Sequence, residues 1–241
     1  MKATLIATSL TLALTLTGGT AFAQADAKME AVRKAIEQKT GEKVESVTKA
    51  PLGLYEVFVN GELIYTDEGV NYIFAGNLFD AKTMQSLTQA RMQKLSSINF
   101  SELPLDLAIK QVRGKGTRVI ALFEDPNCGY CKRFAKDLQK VEDLTVYSFV
   151  YPILGKDSLD KSKSVWCSAD RTKAWRDWML DGVKPAAAPT CDTGAIQKIV
   201  DLGRKLRVNG TPTIFYADGT RVGGAIPVAK LEEQLKTVGK N

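Results

Sequence analysis

Two cysteines at the junction of an apolar run and a short polar loop constrain this chain more than any other feature. Residues 119–123 are typical of a buried strand, and they lead into the segment DPNCGYC at residues 125–131. A C-x-x-C pair that follows a strand and opens a helix is typical of a dithiol that forms and breaks a disulfide reversibly. The sequence therefore predicts thiol–disulfide chemistry at Cys128 and Cys131.

The two thiols are predicted to have different roles. Disulfide exchange requires a thiolate, and an ordinary thiol with a pKa near 8.5 is mostly protonated at neutral pH. Cys128 lies where the helix begins, and the unpaired N–H groups and partial positive charge of a helix N-terminus stabilise an anion. We expect Cys128 to attack and Cys131 to resolve the mixed disulfide, with Lys132 and Arg133 adding positive charge.

The absence of histidine from the whole sequence narrows the alternatives. It excludes histidine-dependent catalysis and histidine metal ligands. A zinc site would need Cys167 and Cys191, which are 24 positions apart and do not form the second close pair usual in such sites. Zinc and an inert structural C-x-x-C disulfide remain the weaker alternatives, and we expect no metal and no cofactor.

The other two cysteines, Cys167 and Cys191, are predicted to form a structural disulfide. Closing a loop of this length stabilises a fold by roughly 3–4 kcal/mol in the loop-entropy treatment. A second redox-active pair is the alternative.

The first 25 residues have the pattern of a secretory signal peptide. Lys2 precedes an apolar stretch over residues 3–16, and small-x-small cleavage sites end at Ala23 and Ala25. The apolar stretch is shorter than the roughly 20 residues that span a bilayer, so we expect export to a periplasm rather than anchoring. Removing Lys2 lowers the formal net charge from +6 to +5. Since positive and negative residues are interspersed, no nucleic acid partner is expected.

Residues 26–80 are predicted to form a small α+β domain, a helix followed by an antiparallel sheet. Met29, Val32 and Ile36 recur at helical spacing before Gly41. Asn60–Gly61 separates two strand-like segments and is a strong hairpin signal. The segment at residues 71–75 has apolar side chains on both faces. Such a strand is either an edge that pairs with another chain or a strand buried in its own domain.

A linker helix is predicted over residues 81–97, because residues 81–95 contain neither glycine nor proline. Residues 98–241 are predicted to form an α/β thioredoxin-like domain with a helical insertion. The domain would begin with an amphipathic helix at residues 105–112. Strands are expected at residues 117–123, 144–151, 213–216 and 221–223, and helices after Cys128 and around residues 165–168, 172–180, 196–206 and 228–235.

Pro212 precedes the strand at residues 213–216 and follows Thr211. A proline at the first residue of a strand is permitted in any fold, which is the simpler interpretation. In a thioredoxin-like fold, a cis-proline loop faces the thiols and offers backbone groups to an extended peptide. We therefore expect a cis bond between Thr211 and Pro212.

Four segments carry a resemblance to a known family. They are CGYC at residues 128–131, VWCSAD at 165–170, GTP at 210–212, and residues 67–80 with Gly76. Together they resemble the periplasmic DsbC/DsbG family of thiol:disulfide interchange proteins over nearly the whole mature chain. Gly129 matches the DsbC branch, whereas the DsbG branch has proline there. Lys132 departs from the histidine of the DsbC branch and matches the DsbG branch.

The resemblance implies a V-shaped homodimer of disulfide isomerases that binds misfolded exported proteins with non-native disulfides. It also implies reduction by the inner-membrane donor DsbD. A reductase of sulfenylated cysteines, as in the DsbG branch, and a thiol-independent holdase chaperone are the alternatives, and a dedicated oxidase ranks below them. The residues implied for client binding are Gly129, Tyr130, Thr211 and Pro212, and those implied for the dimer interface are Tyr72, Ile73, Phe74 and Gly76.

Overall fold

The computed structural model describes residues 19–186 and 191–238. The chain divides into an N-terminal unit, Met1–Thr88, and a C-terminal unit, Gln89–Asn241. Residues 1–18 of the predicted signal peptide lie outside the described residues, and residues 19–25 belong to the first helix. No helix in the described ranges combines the length and apolar character that crossing a bilayer requires.

The N-terminal unit packs one helix on an antiparallel sheet. Helix α1 (Gly19–Thr40) precedes strands β1 (Val44–Lys49), β2 (Tyr55–Val59), β3 (Glu62–Thr66) and β4 (Ile73–Ala75), which lie in chain order. Val32 and Ile36 are fully buried and pack with Val44 and Val57. The helical spacing of the apolar residues in α1 thus buries one face on the sheet.

The predicted hairpin connects β2 and β3. Asn60 and Gly61 both have positive φ, 51° and 80°, and Val59 pairs with Glu62. Positive φ at both central residues is what a two-residue turn of this hand requires, and asparagine and glycine tolerate it best. The hairpin prediction is confirmed.

Strand β4 lies at the edge of this sheet and leaves large apolar side chains exposed. It is shorter than the predicted strand at residues 71–75, since only Ile73–Ala75 pairs with β3. Tyr72 is 81% exposed, Ile73 47% and Phe74 52%. An edge strand of this kind offers unpaired backbone groups and apolar surface together.

The prediction of a helix beginning at residue 81 was wrong. Helix α2 spans only Leu87–Leu95. The Asp80 carboxylate accepts hydrogen bonds from the N–H groups of Lys82 and Thr83, at 2.8 and 2.9 Å, and Met84 has a φ of +55°. The aspartate side chain therefore stabilises a turn where residue propensity favoured a helix.

The C-terminal unit is a mixed sheet with helices on both faces. Its strands run in the order β5 (Ile109–Arg113), β7 (Leu144–Val150), β6 (Arg118–Glu124), β8 (Thr213–Tyr216) and β9 (Arg221–Gly223), with β6 and β7 parallel and the other neighbours antiparallel. The helices are α3 (Gly129–Leu138), α4 (Lys156–Trp166), α5 (Arg171–Asp181), α6 (Gly194–Lys205) and α7 (Val228–Val238). The predicted thioredoxin-like class is confirmed.

Strand β6 is buried on both faces, which explains its continuous apolar sequence. Leu122 packs on one side with Phe134 of α3 and Leu231 of α7. Phe123 packs on the other side with Phe149 and with residues of α6. Because successive side chains of a strand alternate, β6 joins the two halves of the core and ends directly below the cysteine loop.

Two helix predictions in this unit need correction. Residues 105–112 form no amphipathic helix: a 3-10 turn at Leu105–Leu107 is followed by strand β5. Ile109 pairs with Ser148 and is buried, whereas Val112 is exposed. The helical spacing of the apolar residues is therefore coincidental, and pairing with β7 decides the structure. Helix α4 begins at Lys156, well before the predicted residue 165, because its buried face includes serines that gave no apolar pattern.

Candidate active site

Cys128 is the N-cap residue of helix α3. Its Sγ accepts a hydrogen bond from the N–H of Cys131 at 3.2 Å. Its own N–H donates to the Asp125 carbonyl at 3.1 Å, which closes the turn that leads from β6 into the helix. Cys128 is 6% exposed and Cys131 is fully buried, and both thiols are free. A backbone donor aimed at the Cys128 sulfur stabilises the thiolate over the thiol.

A loop 83 residues further along the chain faces the same sulfur. The peptide bond between Thr211 and Pro212 is cis, and the Cys128 thiol donates to the Thr211 carbonyl at 3.3 Å. The Pro212 carbonyl accepts from the N–H of Gly224 at 2.7 Å, and the Thr213 hydroxyl donates to the Gly210 carbonyl at 2.8 Å. The structure thus brings together Cys128, Cys131, Thr211 and Pro212 as the sequence predicted.

Gly129 and Tyr130 are the other two residues predicted to contact a client. Space around Gly129 is open: apart from its chain neighbours and the adjacent helix backbone, no heavy atom of a described residue lies within 4 Å of where a Cβ would lie. Tyr130 is 64% exposed, and the Arg133 guanidinium lies 5.6 Å from its ring centroid. The two residues between the cysteines therefore form an accessible surface next to a shielded sulfur.

Asp125 is a fully buried carboxylate that the sequence analysis did not identify. Its Oδ1 accepts from the Asn127 N–H and the Ser158 hydroxyl, both at 2.7 Å. Its Oδ2 accepts from the N–H groups of Ile153 and Leu154, at 2.8 and 2.9 Å. Four hydrogen bonds donated to one buried carboxylate fix the cysteine loop against the segment that leads into α4. Its position directly after a buried strand was the available signal.

Glu124, also missed, is the last residue of β6 and is 2% exposed. Burial raises the pKa of Glu124 to about 7, and contacts with Ser148 and Trp175 oppose that rise. Burial also raises the pKa of Cys131, and the negative charge of Glu124 raises it further. Cys131 is therefore held as a neutral thiol.

Lys132 lies over an aromatic ring beside the cysteine loop. Its Nζ is 3.7 Å from the centroid of the Trp178 ring, and the Trp178 indole donates to the Pro126 carbonyl at 2.6 Å. Burial lowers the pKa of Lys132, and the positive charges of Lys161 and Lys136 lower it further. Trp178 therefore contacts both the loop and the lysine.

Cys167 and Cys191 are joined by a disulfide with a Cα–Cα distance of 5.9 Å. Cys167 is the C-cap residue of α4, and its N–H donates to the carbonyls of Lys163 and Val165. The Cys167–Cys191 pair does not belong to the group formed by Cys128, Cys131, Thr211 and Pro212.

A dithiol at a helix N-terminus, a cis-proline loop facing it and the sheet order above define a thioredoxin-like thiol:disulfide oxidoreductase. Family models agree: a thioredoxin-like domain matches residues 105–239, and the disulfide bond isomerase protein N-terminal domain matches residues 21–89. The chain belongs to the DsbC family of thiol:disulfide interchange proteins.

The chain matches known relatives over most of its length. The chain is 47% identical over 211 residues to a probable thiol:disulfide interchange protein DsbC of Bordetella parapertussis, covering 87% of this chain and 75% of the relative. It is 29% identical to the thiol:disulfide interchange protein DsbC of Escherichia coli K12, covering 89% of each chain. A crystal structure of a disulfide interchange protein from Neisseria gonorrhoeae matches with a TM-score of 0.55 and 40% identity, covering 58% of this chain and all of that one.

Proposed function

We propose that this chain is a periplasmic protein disulfide isomerase and reductase that acts through Cys128 and Cys131. The observation that carries the proposal is the position of the Cys128 sulfur, between the N–H of Cys131 and the carbonyl of Thr211. The names of the relatives support thiol–disulfide interchange.

The reaction begins when the Cys128 thiolate attacks one sulfur of a mispaired client disulfide. A mixed disulfide forms between Cys128 and the client, and the other client sulfur leaves as a thiolate. If a client thiolate then attacks its own sulfur in the mixed disulfide, Cys128 is released and the client disulfide has been rearranged. If Cys131 attacks Cys128 instead, the client is released with both its sulfurs reduced, and the enzyme holds the Cys128–Cys131 disulfide.

The surface around Cys128 supports binding of an extended client segment. Backbone pairing gives affinity without demanding a particular client sequence, which suits an enzyme with many substrates. We expect Thr211 and Pro212 to contact the client backbone, and Gly129 and Tyr130 to contact its side chains.

Replacing each cysteine separately tests the catalytic roles. We expect Cys128→Ala to lower the refolding rate of a scrambled multi-disulfide protein to the rate without enzyme, because no attacking sulfur remains. Cys131→Ala should still attack but should accumulate mixed disulfides, seen as bands on a non-reducing gel. Isomerase activity retained by Cys128→Ala would contradict the assignment.

The exposed edge of the N-terminal sheet supports a homodimer. Tyr72, Ile73 and Phe74 expose apolar side chains beside the backbone of β4, and Gly76 follows directly. A second copy of β4 would cover this surface and pair its backbone. Phe74→Lys should convert the dimer to a monomer in sedimentation velocity. The matched control is Leu52→Lys, since Leu52 is 84% exposed in the same unit and is not at the edge strand.

We also propose that a reductant regenerates the dithiol and that the protein binds unfolded clients without thiol chemistry. An isomerase must keep Cys128 reduced, so we expect mostly reduced protein in cells and oxidised protein in cells without the inner-membrane donor DsbD. Thiol trapping of exported protein measures the ratio of reduced to oxidised protein, and a mostly oxidised wild-type pool would instead support an oxidase.

A variant lacking both Cys128 and Cys131 should still suppress aggregation of an unfolded protein if client binding is independent of thiol chemistry.

Lys132 favours a second candidate, the reductase of sulfenylated cysteines. Such a substrate is a single oxidised cysteine that the Cys128–Cys131 pair would return to the thiol. Comparing turnover on a scrambled multi-disulfide protein with turnover on a sulfenylated single-cysteine protein separates the two functions.

A further inference from the structure

Tyr151 is a buried residue that contacts both loops of the active site and takes no part in the thiol exchange described above. It directly follows β7 and is 3% exposed. Its backbone N–H donates to the carbonyl of Glu124 at 2.7 Å, where β6 ends and the cysteine loop begins. Its hydroxyl donates to the carbonyl of Val208 at 3.1 Å, at the start of the loop that contains Pro212. Tyr151 therefore joins the cysteine loop to the cis-proline loop.

The sheet topology explains why one residue can reach both loops. Strands β6 and β7 are parallel, so their C-terminal ends meet at one edge of the sheet, and the residue after β7 lies beside the start of the cysteine loop. Strand β8 is antiparallel to β6, and Phe123 near the end of β6 pairs with Thr213 at the start of β8. The cis-proline loop, which precedes β8, therefore comes to the same edge.

The Tyr151 ring is closely packed, which fixes the position of its hydroxyl. Phe123 lies edge-on to the ring, with 5.6 Å between the ring centroids and 88° between the ring planes. Gly203 of α6 approaches so closely that a Cβ on it would lie 2.5 Å from Cε2 of the ring and 3.0 Å from the hydroxyl oxygen. A side chain at residue 203 would therefore displace the tyrosine, and glycine permits the close approach.

The cis-proline loop is exposed in its middle and buried at its ends. Residues 209–210 are exposed, whereas Val208 and Pro212 are buried. The Val208 N–H donates to the carbonyl of Gly203 at 2.8 Å, and the Val208 carbonyl accepts from Tyr151. Strand β8 holds the Pro212 end of the loop, and Tyr151 and Gly203 hold the Val208 end.

The position of this loop determines what lies beside the attacking sulfur. The Thr211 carbonyl, three residues after Val208, lies 3.3 Å from the Cys128 sulfur. A buried carbonyl that loses its donor is unfavourable, so without the Tyr151 hydroxyl the Val208 end would shift to reach water. Such a shift would move Thr211 relative to Cys128.

We propose that Tyr151 is a positioning residue for the exchange reaction, whose hydroxyl holds the cis-proline loop where it binds an extended client segment beside Cys128. The inference rests on the exchange function proposed above. Burial raises the pKa of Tyr151, so its hydroxyl stays protonated and donates at neutral pH. Tyr151 acts on client binding and not on the attacking sulfur, because the N–H that bonds the Cys128 sulfur belongs to Cys131 of α3.

Tyr151→Phe removes the hydroxyl and keeps the ring. The probe is an extended peptide whose cysteine is joined by a disulfide to thionitrobenzoate. The Cys128 thiolate bonds to the peptide sulfur and thionitrobenzoate leaves as a coloured thiolate, so stopped flow gives the maximal rate and the KM for the peptide. We expect KM to rise about three- to tenfold in the variant, the usual size of one hydrogen bond, and the maximal rate to stay within about twofold of wild type.

Ellman's reagent is the comparison substrate, because it has the same leaving group and no peptide backbone. Its first release of thionitrobenzoate should have the wild-type rate in Tyr151→Phe, which also shows that the cysteine loop of the variant is folded. General loss of structure would instead slow the reaction with both substrates. An equal decrease with both substrates, or an unchanged KM for the peptide, overturns the proposal.

Gly203→Ala tests the same contact from α6, since the added methyl group would displace the Tyr151 hydroxyl. It should also raise the KM for the peptide and leave the rate with Ellman's reagent unchanged. Tyr147→Phe is the matched control, because it removes a hydroxyl from β7 itself, and it should change neither value. Absence of thionitrobenzoate release by wild type would contradict the exchange function. Normal release with an unchanged peptide KM in Tyr151→Phe and Gly203→Ala would contradict only the role of Tyr151.

Discussion

Each cysteine pair of the C-terminal unit has one member that caps a helix, and the two caps are at opposite helix ends. Cys128 caps the N-terminus of α3, where a backbone N–H points at its sulfur, and Cys167 caps the C-terminus of α4, where carbonyl groups are unpaired. The first position stabilises a thiolate and the second disfavours one. Exposure does not explain the difference, because Cys128 is nearly buried whereas Cys191 is exposed. We therefore expect helix polarity to separate a reactive pair from an inert one.

The pairs also differ in what they contribute to stability. The Cys167–Cys191 disulfide closes a loop in the unfolded chain and stabilises the fold. The first pair is packed against a buried carboxylate that ionises with difficulty, which costs stability. The Glu124 carboxylate thus lowers the stability of the reactive region, as stability–activity trade-offs at functional sites lead one to expect.

The largest expected effect is the loss of stability on removing the Cys167–Cys191 disulfide. Cys167→Ala with Cys191→Ala should lower the free energy of unfolding by roughly 3–4 kcal/mol. The Tm should fall by about 10 °C in calorimetry. The exchange rate on a small disulfide should stay at the wild-type value. A comparable loss of exchange rate would mean that the second pair is redox-active and would break the contrast between the pairs.

A slightly smaller effect is expected from Glu124→Gln on the pH dependence of stability. The pKa of Glu124 is about 7 in the folded protein and near its ordinary value of 4.5 in the unfolded chain. The unfolded chain therefore releases this proton first, so wild type loses up to about 3 kcal/mol as the pH rises from 4.5 to 7. Glutamine does not ionise, so the variant should lack this loss.

Urea unfolding of both proteins at pH 4 and pH 8 measures that difference. The variant should gain stability relative to wild type at pH 8 and not at pH 4. An equal difference at both pH values would show that the Glu124 carboxylate does not resist ionisation in the folded protein.

The smallest effect is expected from Lys132→His, which replaces a permanent charge near the first pair by one that titrates. Histidine loses its charge above about pH 6.5, so exchange with a small disulfide should match wild type at pH 5.5. It should fall about two- to fivefold below wild type at pH 8, the usual size of one charge at a helix end. Lys136→His, one turn further along α3, is the control and should show less change. Equal pH profiles for Lys132→His and wild type would mean that the helix end alone stabilises the thiolate.

The sequence predicted those parts of the fold that depend on short-range patterns. The hairpin at Asn60–Gly61, the helix at Met29 to Ile36 and the strand before Cys128 each carry their signal in adjacent residues. The error at residues 105–112 has the opposite origin. That segment has helical spacing, yet it becomes β5 because β7 offers a backbone edge to pair with. Likewise Asp80 converts the predicted start of a long helix into a turn through its own side chain.

The candidate site divides in the same way. The sequence by itself was enough to predict the Cys128–Cys131 pair and which thiol attacks. The strand, loop, cysteines and helix are contiguous, and chain direction fixes the polarity of the helix. Only the tertiary structure decided what surrounds Cys131. Glu124 and Asp125 are adjacent acidic residues at the end of a buried strand, and that position does not tell them apart. Alternation along the chain places one carboxylate near the buried thiol and the other in four hydrogen bonds. The burial and hydrogen bonding of these two carboxylates depend on segments distant in sequence. They therefore arise only once the sheet and helices have packed.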